Sequence, residues 1–375
     1  MKICILETEH FEGAYPVIKL FDEGENNLFI FTNEDTYERF RQLLKTTAKK
    51  YQWFVQKSKA SRFKFFISFY KQIKNYKPDI LYLNTITNNH LLYACVLWML
   101  PKTRYILTIH DINCMFESKL TWSLRGIIQH LGKKFLISQV YEFNVVADTM
   151  VDYMKTKAGS LKKVHNVPGA VFEDLVQDNR IKDSLHVVVP GSIDKRRRDY
   201  DQVFSLLHLA ASKKINLHIT LLGGFGDQYG SNIIERAKKN YSPYTRLTYY
   251  ETDNVNQDEF DKQLNSAHFV LIPSVIHTTI CGNISEIYGL TKSSGNIFDV
   301  IKHAKPFIVP AQLKIPANLE SSCFKYSNLD ELAVFFDRLL KNTDEYNGWQ
   351  QKAFKNSKEY SIERISEKNP SLFGR

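Results

Sequence analysis

The 375-residue chain lacks most of the signatures that announce a chemistry. Its five cysteines, Cys4, Cys95, Cys114, Cys281 and Cys323, are dispersed and form no Cys-x-x-Cys pair. An odd, scattered set argues against a disulfide framework or a zinc site, and reads as free thiols in a reducing compartment. There is no His-Glu-x-x-His, no Gly-x-Ser-x-Gly elbow, no P-loop and no Gly-x-Gly-x-x-Gly fingerprint, which removes zincins, α/β-hydrolases, P-loop enzymes and the usual dinucleotide site. Gly and Pro are modest, at 16 and 11, so collagen-like and low-complexity classes are excluded. The longest apolar run, Leu91 to Leu100, is ten residues, whereas a bilayer span takes about 20. The run Ile3 to Leu6 is too short for the core of a signal peptide. A cytoplasmic protein is expected.

One further scarcity is local. Between Arg39 and Pro78 there is no Asp or Glu, against twelve Lys or Arg, so this segment exceeds the net charge of +10 of the whole chain. Aromatics interleave with the charges: Tyr51, Trp53, Phe54, Phe63, Phe65, Phe66, Phe69 and Tyr70. Within Ser61–Tyr76 the spacing of Phe63, Phe66, Ile67, Tyr70 and Ile73 is helical. The pattern suits a core helix with a basic outer face, docking on an anionic membrane surface, or a single-stranded nucleic acid. No helix-turn-helix, RNA-recognition or zinc-finger signature supports the last, and nucleic acid is set aside.

What is present is alternation. Apolar strand-like runs, such as Lys2–Glu7, Asn27–Thr32, Asp79–Asn84 and Arg104–His110, are separated by helical stretches. The order restarts at Leu185 after a polar stretch. Hydrophobic residues are 43% of the chain, enough for two cores. The expectation is an α/β protein of two Rossmann-like doubly wound domains facing across a cleft: residues 1–172, a linker at 173–184, and residues 185–344. Residues 345–375 are placed to cross back to the first domain. Ligands of open parallel sheets bind beyond the carboxyl ends of the strands, so the loops there are the candidate site.

Four loops stand out. Gly13, after the first strand, precedes a helix and would let a phosphate approach its N-terminus. His110-Asp111 closes another strand, where an imidazole can serve a sugar hydroxyl or a developing charge. Gly191-Ser192 is followed by Lys195, Arg196, Arg197 and Arg198, cations suited to a diphosphate. Asp199 and Asp201 beside them are read as helix-starting acids. Lys292, Ser293, Ser294 and Gly295 precede a helix near Asn296, again an anion site, and Asp299 lies one turn in, where a carboxylate can take ribose hydroxyls. The stretch from Pro273 to that helix reads as one long loop.

Taken together, Tyr105–Asp111, Val189–Ser192 with Arg197-Arg198, and Tyr288-Gly289-Leu290 ahead of Asp299 and Lys305-Pro306 resemble the GT-B retaining glycosyltransferases of bacterial polysaccharide and lipopolysaccharide assembly. The resemblance covers the whole chain. It implies transfer of a sugar from a nucleoside diphosphate sugar to a saccharide or lipid-linked acceptor, with no cofactor and no metal. By that resemblance His110 and Asp111 are the catalytic candidates. Gly13, Gly191, Ser192, Arg197, Arg198, Lys292, Ser293, Ser294, Gly295 and Asp299 are the donor-binding ones. Acceptors are usually bound by the first domain, often at a membrane, which places the anionic-surface contact at residues 39–78. One departure is clear: where relatives carry Glu-x7-Glu, this chain has Thr291 and Asp299. A nucleotide-sugar epimerase on the same fold and a non-catalytic binding subunit are the alternatives.

Overall fold

The computed structural model describes the chain except residues 24–25, 58–60, 101–102, 119, 121, 174–178, 241, 282 and 374–375, and the side chain of Arg62. Much of the expected linker therefore lies outside the described residues.

Seven strands form the first sheet: β1 (Lys2–Leu6), β2 (Asn27–Asn33), β3 (Gln52–Gln56), β4 (Ile80–Leu83), β5 (Arg104–Ile109), β6 (Glu142–Val145) and β7 (Lys163–Asn166). Their order is β3-β2-β1-β4-β5-β6-β7, all parallel. Helices α1 (Phe11–Asp22) and α2 (Glu34–Leu44) pack on one face, with Ile3, Ile5, Val17, Phe21, Ile30 and Phe40 in their core. On the other face lie α3 (Arg62–Tyr76), α4 (His90–Trp98), the short α5 (Ile112–Phe116), α6 (Leu124–Gln139) and α7 (Val151–Ala158), closing over Cys4, Phe31, Phe69, Leu83, Leu107 and Phe143. Both faces are covered, which is why the strands are nearly all-apolar runs.

The second sheet restarts with β8 (Leu185–Pro190), β9 (Leu217–Leu222), β10 (Thr245–Thr248) and β11 (Phe269–Leu271). Between them come α8 (Tyr200–Ser212), α9 (Gln228–Lys238) and α10 (Gln257–Ser266). An antiparallel hairpin, β12 (His277–Ile280) and β13 (Ile284–Ile287), leads to α11 (Gly295–Lys302), then β14 (Phe307–Pro310) and β15 (Cys323–Tyr326). The sheet order is β10-β9-β8-β11-β14-β15. In each sheet the order reverses once, at β1/β4 and at β8/β11, and the crevice for a ligand lies at such a reversal.

Helices α12 (Leu329–Lys341) and α13 (Thr343–Lys358) pack on the second domain; α14 (Ile362–Lys368) packs on α1 of the first. Ile365 and Leu372 are buried in the first domain's core. Asn369 exchanges hydrogen bonds with the Asn166 backbone at 2.9 and 3.1 Å, and Arg104 Nη2 donates to the Ser371 carbonyl at 2.8 Å.

One expectation is corrected and one element is added. The basic segment holds a strand as well as a helix: Tyr51 is buried and Trp53 partly buried, and Trp53 donates to the Ala48 carbonyl at 2.8 Å. Most of its aromatic interleaving is core packing, since Phe66 and Phe69 are buried while Phe63 points outward. The loop after β11 is also not a loop; it carries the β12–β13 hairpin, whose residues His277, Thr278 and Thr279 gave no alternating apolar pattern.

Candidate functional site

The carboxyl end of β1 is organised by Glu7, which is fully buried. Its carboxylate accepts from the His10 N–H at 2.8 Å and from Asn84 Nδ2 at 2.7 Å, tying the β1–α1 loop to the end of β4. Gly13 sits in the first turn of α1. A Cβ there would lie 3.7 Å from Asn84 Nδ2 and 3.8 Å from His110 Cε1, ordinary contacts, so Gly13 does border His110. His110 Nε2 is 3.3 Å from the Thr85 hydroxyl and 3.3 Å from the Asn84 carbonyl. That carbonyl only accepts, so Nε2 carries the proton. Burial, and then the neighbouring His10, push the His110 pKa down to about 4. At neutral pH this is an uncharged imidazole, a donor through Nε2.

Beside it lies a cavity of about 310 Å³. Thr8, Glu9, Asn33, Asp35, Thr85 and Thr87 give it a polar wall, and Phe65, Phe66 and Tyr93 an aromatic one. Apolar faces with convergent polar groups are what a sugar ring requires. Thr85 belongs both to this wall and to the His110 contact.

On the second domain, Gly191 follows β8 with φ +90°, and a Cβ there would fall 2.2 Å from Arg198 Nη2. The glycine makes room for that guanidinium. Arg198 is buried: Nη1 donates to the Ser192 carbonyl at 2.8 Å and Nη2 to Asn296 Oδ1 at 2.9 Å. Asn296 in turn donates to the Pro190 carbonyl at 2.8 Å and lies 3.4 Å from Asp299 Oδ2. Burial raises the Asp299 pKa to about 6. Arg198 is thus an internal tie between the β8 loop and α11, whereas Arg197 is half-exposed and pairs with Asp194 at 3.3 Å. Asp199 caps α8, accepting from the Gln202 N–H at 3.0 Å, and Asp201 pairs with Arg236.

The hairpin joins the two domains. Ile112 N–H donates to the Thr291 carbonyl at 2.9 Å, Asn113 Nδ2 to the Ser285 carbonyl at 2.9 Å, and Cys114 N–H to Glu286 Oε1 at 2.7 Å. Asp111 and Lys292 form an ion pair, so two expected site residues meet by engaging each other. Glu286 is fully buried, and desolvation raises its pKa to about 7. Thr291, standing where relatives carry Glu, serves its own turn: its hydroxyl accepts from the Ile287 N–H at 2.8 Å.

The free-thiol expectation is overturned here. Cys114 and Cys281, 167 residues apart, are disulfide-bonded, while Cys4, Cys95 and Cys323 are free. The cysteines therefore do not point to a reducing compartment. No sequence spacing marks this pair; the hairpin alone brings Cys281 onto α5.

Ser293 and Ser294 line a crevice between the domains with Ala147, Thr149, Phe298 and Lys314. Its volume, about 10 Å³, is that of a single water. Ser294 takes the cap position of α11 without a side-chain capping bond, and Gly295 is exposed with open space around it. The expected donor residues thus form three groups: Gly13 with His110, Asp111 with Lys292, and Gly191, Ser192 and Arg198 joined through Asn296 to Asp299. Glu7, Asn84, Glu286 and Asn296 were not anticipated as site residues. Only Glu286, ahead of Tyr288-Gly289-Leu290, gave a signal. Among the described residues no group of three His, Cys, Asp or Glu could hold a metal ion.

No family model matches the sequence, and a search of curated proteins finds no match. Solved structures do match over the full chain. The lipopolysaccharide outer core galactosyltransferase WaaB in its apo form is 13% identical with a TM-score of 0.61, over 100% of this chain and 99% of that one. Sucrose-phosphate synthase from Thermosynechococcus elongatus is 11% identical with a TM-score of 0.59, over 100% and 98%. UDP-GlcNAc 2-epimerase from Neisseria meningitidis, bound to UDP-GlcNAc, is 12% identical with a TM-score of 0.57, over 100% of both chains. At such identities the likeness shows the fold, which is GT-B.

Proposed function

We propose that this GT-B chain is a glycosyltransferase that moves a sugar from a nucleoside diphosphate sugar to a saccharide acceptor in surface-polysaccharide assembly. The observation that carries the reading is the cavity of about 310 Å³ on the first domain, beside His110. An epimerase handles one substrate and needs no second sugar site. A transferase needs an acceptor pocket next to the reacting carbon, and the polar and aromatic lining suits one.

In this reading the donor lies between the carboxyl ends of β8 and β11 and the start of α11. Its diphosphate would be met by backbone N–H groups at Ser293–Gly295 and by Arg197, without a metal. His110, neutral and with its Nε2–H turned to the Asn84 carbonyl, would face the transferred sugar. Retention of configuration is what the resemblance to the retaining enzymes implies. Arg198 and Asn296 would hold the donor loop in shape and not touch the phosphates.

The crevice beside Ser293 and Ser294 is too small for a diphosphate. Donor entry would need this crevice to widen, against the Cys114–Cys281 and Asp111–Lys292 links that join the domains. The same observation favours a second reading, a binding subunit held shut, in which Glu286 and Thr291 serve structure only. The test is product analysis with UDP-, GDP-, ADP- and CMP-sugars, with and without oligosaccharide acceptors, before and after disulfide reduction. Acceptor-dependent release of nucleotide supports the transferase. Sugar conversion without acceptor would replace it with the epimerase, and nucleotide-sugar binding without turnover with the binding subunit.

A further inference from the structure

The Cys114–Cys281 bond joins the domains where the two halves of the candidate site converge. Cys114, on α5, lies four residues beyond His110, and Cys281, in the turn of the β12–β13 hairpin, precedes the Lys292–Gly295 segment. Around the bond the domains touch through Ile112 and Thr291, Asn113 and Ser285, and Asp111 and Lys292. The two ends of the bond are unalike. Cys281 is exposed, whereas Cys114 is only 8% exposed.

Beside Cys114 lies Lys133 of α6, which is 3% exposed. Its Nζ donates to the Cys114 carbonyl and sits 3.5 Å from Cys114 Sγ. A buried ammonium ordinarily has an anion against it. Here Asp111 pairs instead with Lys292, and Glu286 accepts from the Cys114 N–H. Those two acids and His90 of α4 are the titratable groups that bear on Lys133. Burial lowers its pKa, and the charges of Asp111 and Glu286 oppose the fall. A disulfide sulfur is neutral and gives the ammonium little. Once the bond is broken, the Cys114 thiolate sets a full anion beside it. A cation next to a thiolate makes that sulfur the better leaving group.

We propose that Cys114–Cys281 is a reversible redox clamp between the domains, opened by a dithiol that attacks Cys281 Sγ and releases Cys114 as a thiolate against Lys133. One thiol of the reductant loses its proton to water and attacks Cys281 Sγ. The Cys114–Cys281 bond breaks, its electron pair passes to Cys114 Sγ, and the reductant is held on Cys281 as a mixed disulfide. The reductant's second thiol then attacks its own bonded sulfur, and Cys281 leaves and takes up that thiol's proton. The dithiol is oxidised by two electrons to a disulfide, and the cystine is reduced to two cysteines. The reverse sequence closes the clamp. Resting on the transferase reading, the reduced chain is the state in which the crevice at Ser293 and Ser294 widens for a donor.

The test is reduction of the full native chain by dithiothreitol at neutral pH, without denaturant. New thiols are labelled with iodoacetamide and located by mass spectrometry, with Cys4, Cys95 and Cys323 as internal references. Cys114 and Cys281 should both take label while the chain stays folded. Glutathione, a monothiol, should leave its mixed disulfide on Cys281. Lys133→Met should slow native reduction about tenfold and leave the rate in urea unchanged. A second measurement holds if that variant is less stable. In Cys281→Ser, alkylation of Cys114 should titrate below the ordinary thiol value of about 8.5, and adding Lys133→Met should return it there. Hydrogen exchange at residues 112–117 and 284–287 should rise about tenfold or more on reduction. A pair that resists dithiothreitol until the chain unfolds overturns the proposal, as does unchanged exchange after reduction. Glutathione on Cys114, or a Cys114 titration indifferent to Lys133→Met, overturns the assigned direction of attack. These measurements use no nucleotide sugar, so a reduced, open chain that binds none removes the transferase reading and leaves the clamp standing.

Discussion

Glu286 couples the contact between the domains to pH, and the effect can be sized. Its carboxyl is fully buried between the hairpin and α5, with Oε1 2.7 Å from the Cys114 amide. Desolvation raises its pKa from an ordinary 4.5 to about 7, with Asp111 adding to the rise and Lys292 opposing it. Between those values the native chain holds a proton that the unfolded chain has released. Stability contributed by this group is therefore complete below about pH 4.5 and is lost as pH rises to about 7. At 1.36 kcal/mol for each pH unit the full loss is about 3 kcal/mol. Glu286→Gln keeps an acceptor for the Cys114 amide and removes the proton. Denaturant unfolding of both proteins should be compared from about pH 5 to 8, so that other titrating groups cancel in the difference. The two should be similar near pH 5, and the Gln variant should gain about 3 kcal/mol over the native chain by about pH 7.5. A difference that stays constant within about 0.5 kcal/mol across this range would refute the reasoning.

Other expectations follow from the same contacts. Cys281→Ser, or reduction, opens a loop of 167 residues, worth about 5 kcal/mol by chain entropy; hydrogen exchange should rise in 277–287 and 112–117, and unchanged exchange there would mean the disulfide clamps nothing. Gly191→Ala puts a methyl 2.2 Å from Arg198 Nη2 at φ +90° and should cost roughly 2 kcal/mol, read as a lowered melting temperature. Arg197→Ala, at a half-exposed position, should leave melting unchanged and weaken nucleotide-sugar binding about tenfold or more; binding equal to the native chain would take Arg197 out of the donor site. His110→Ala should lower kcat/KM by about 100-fold or more. Because burial holds its imidazole neutral above about pH 4, the rate profile of the native enzyme should show no His110 limb near pH 6.5, and such a limb would contradict the assignment.

The sequence by itself determined the domain plan. Strands such as β2, β8 and β9 are buried on both faces, so each announces itself as a short continuous apolar run between helices, and the alternation of those runs dictates two parallel sheets. It also placed the candidate loops at strand ends or helix starts, where Gly13, His110, Gly191 and Ser293 lie. What those side chains touch was decided only by tertiary structure. Arg198 reads in sequence as one cation in a run of four, yet it alone is drawn inward, because Gly191, Ser192 and Asn296 leave it a place. Phe63 and Phe66 look alike in a helical pattern until α4 covers one and leaves the other bare. Cys114 and Cys281, Asp111 and Lys292, and Cys114 and Glu286 meet across more than 160 residues of chain. Local propensity and periodicity reach only a few residues along the backbone, so partners that distant are specified by how the two domains and the hairpin pack, and by nothing nearer in sequence.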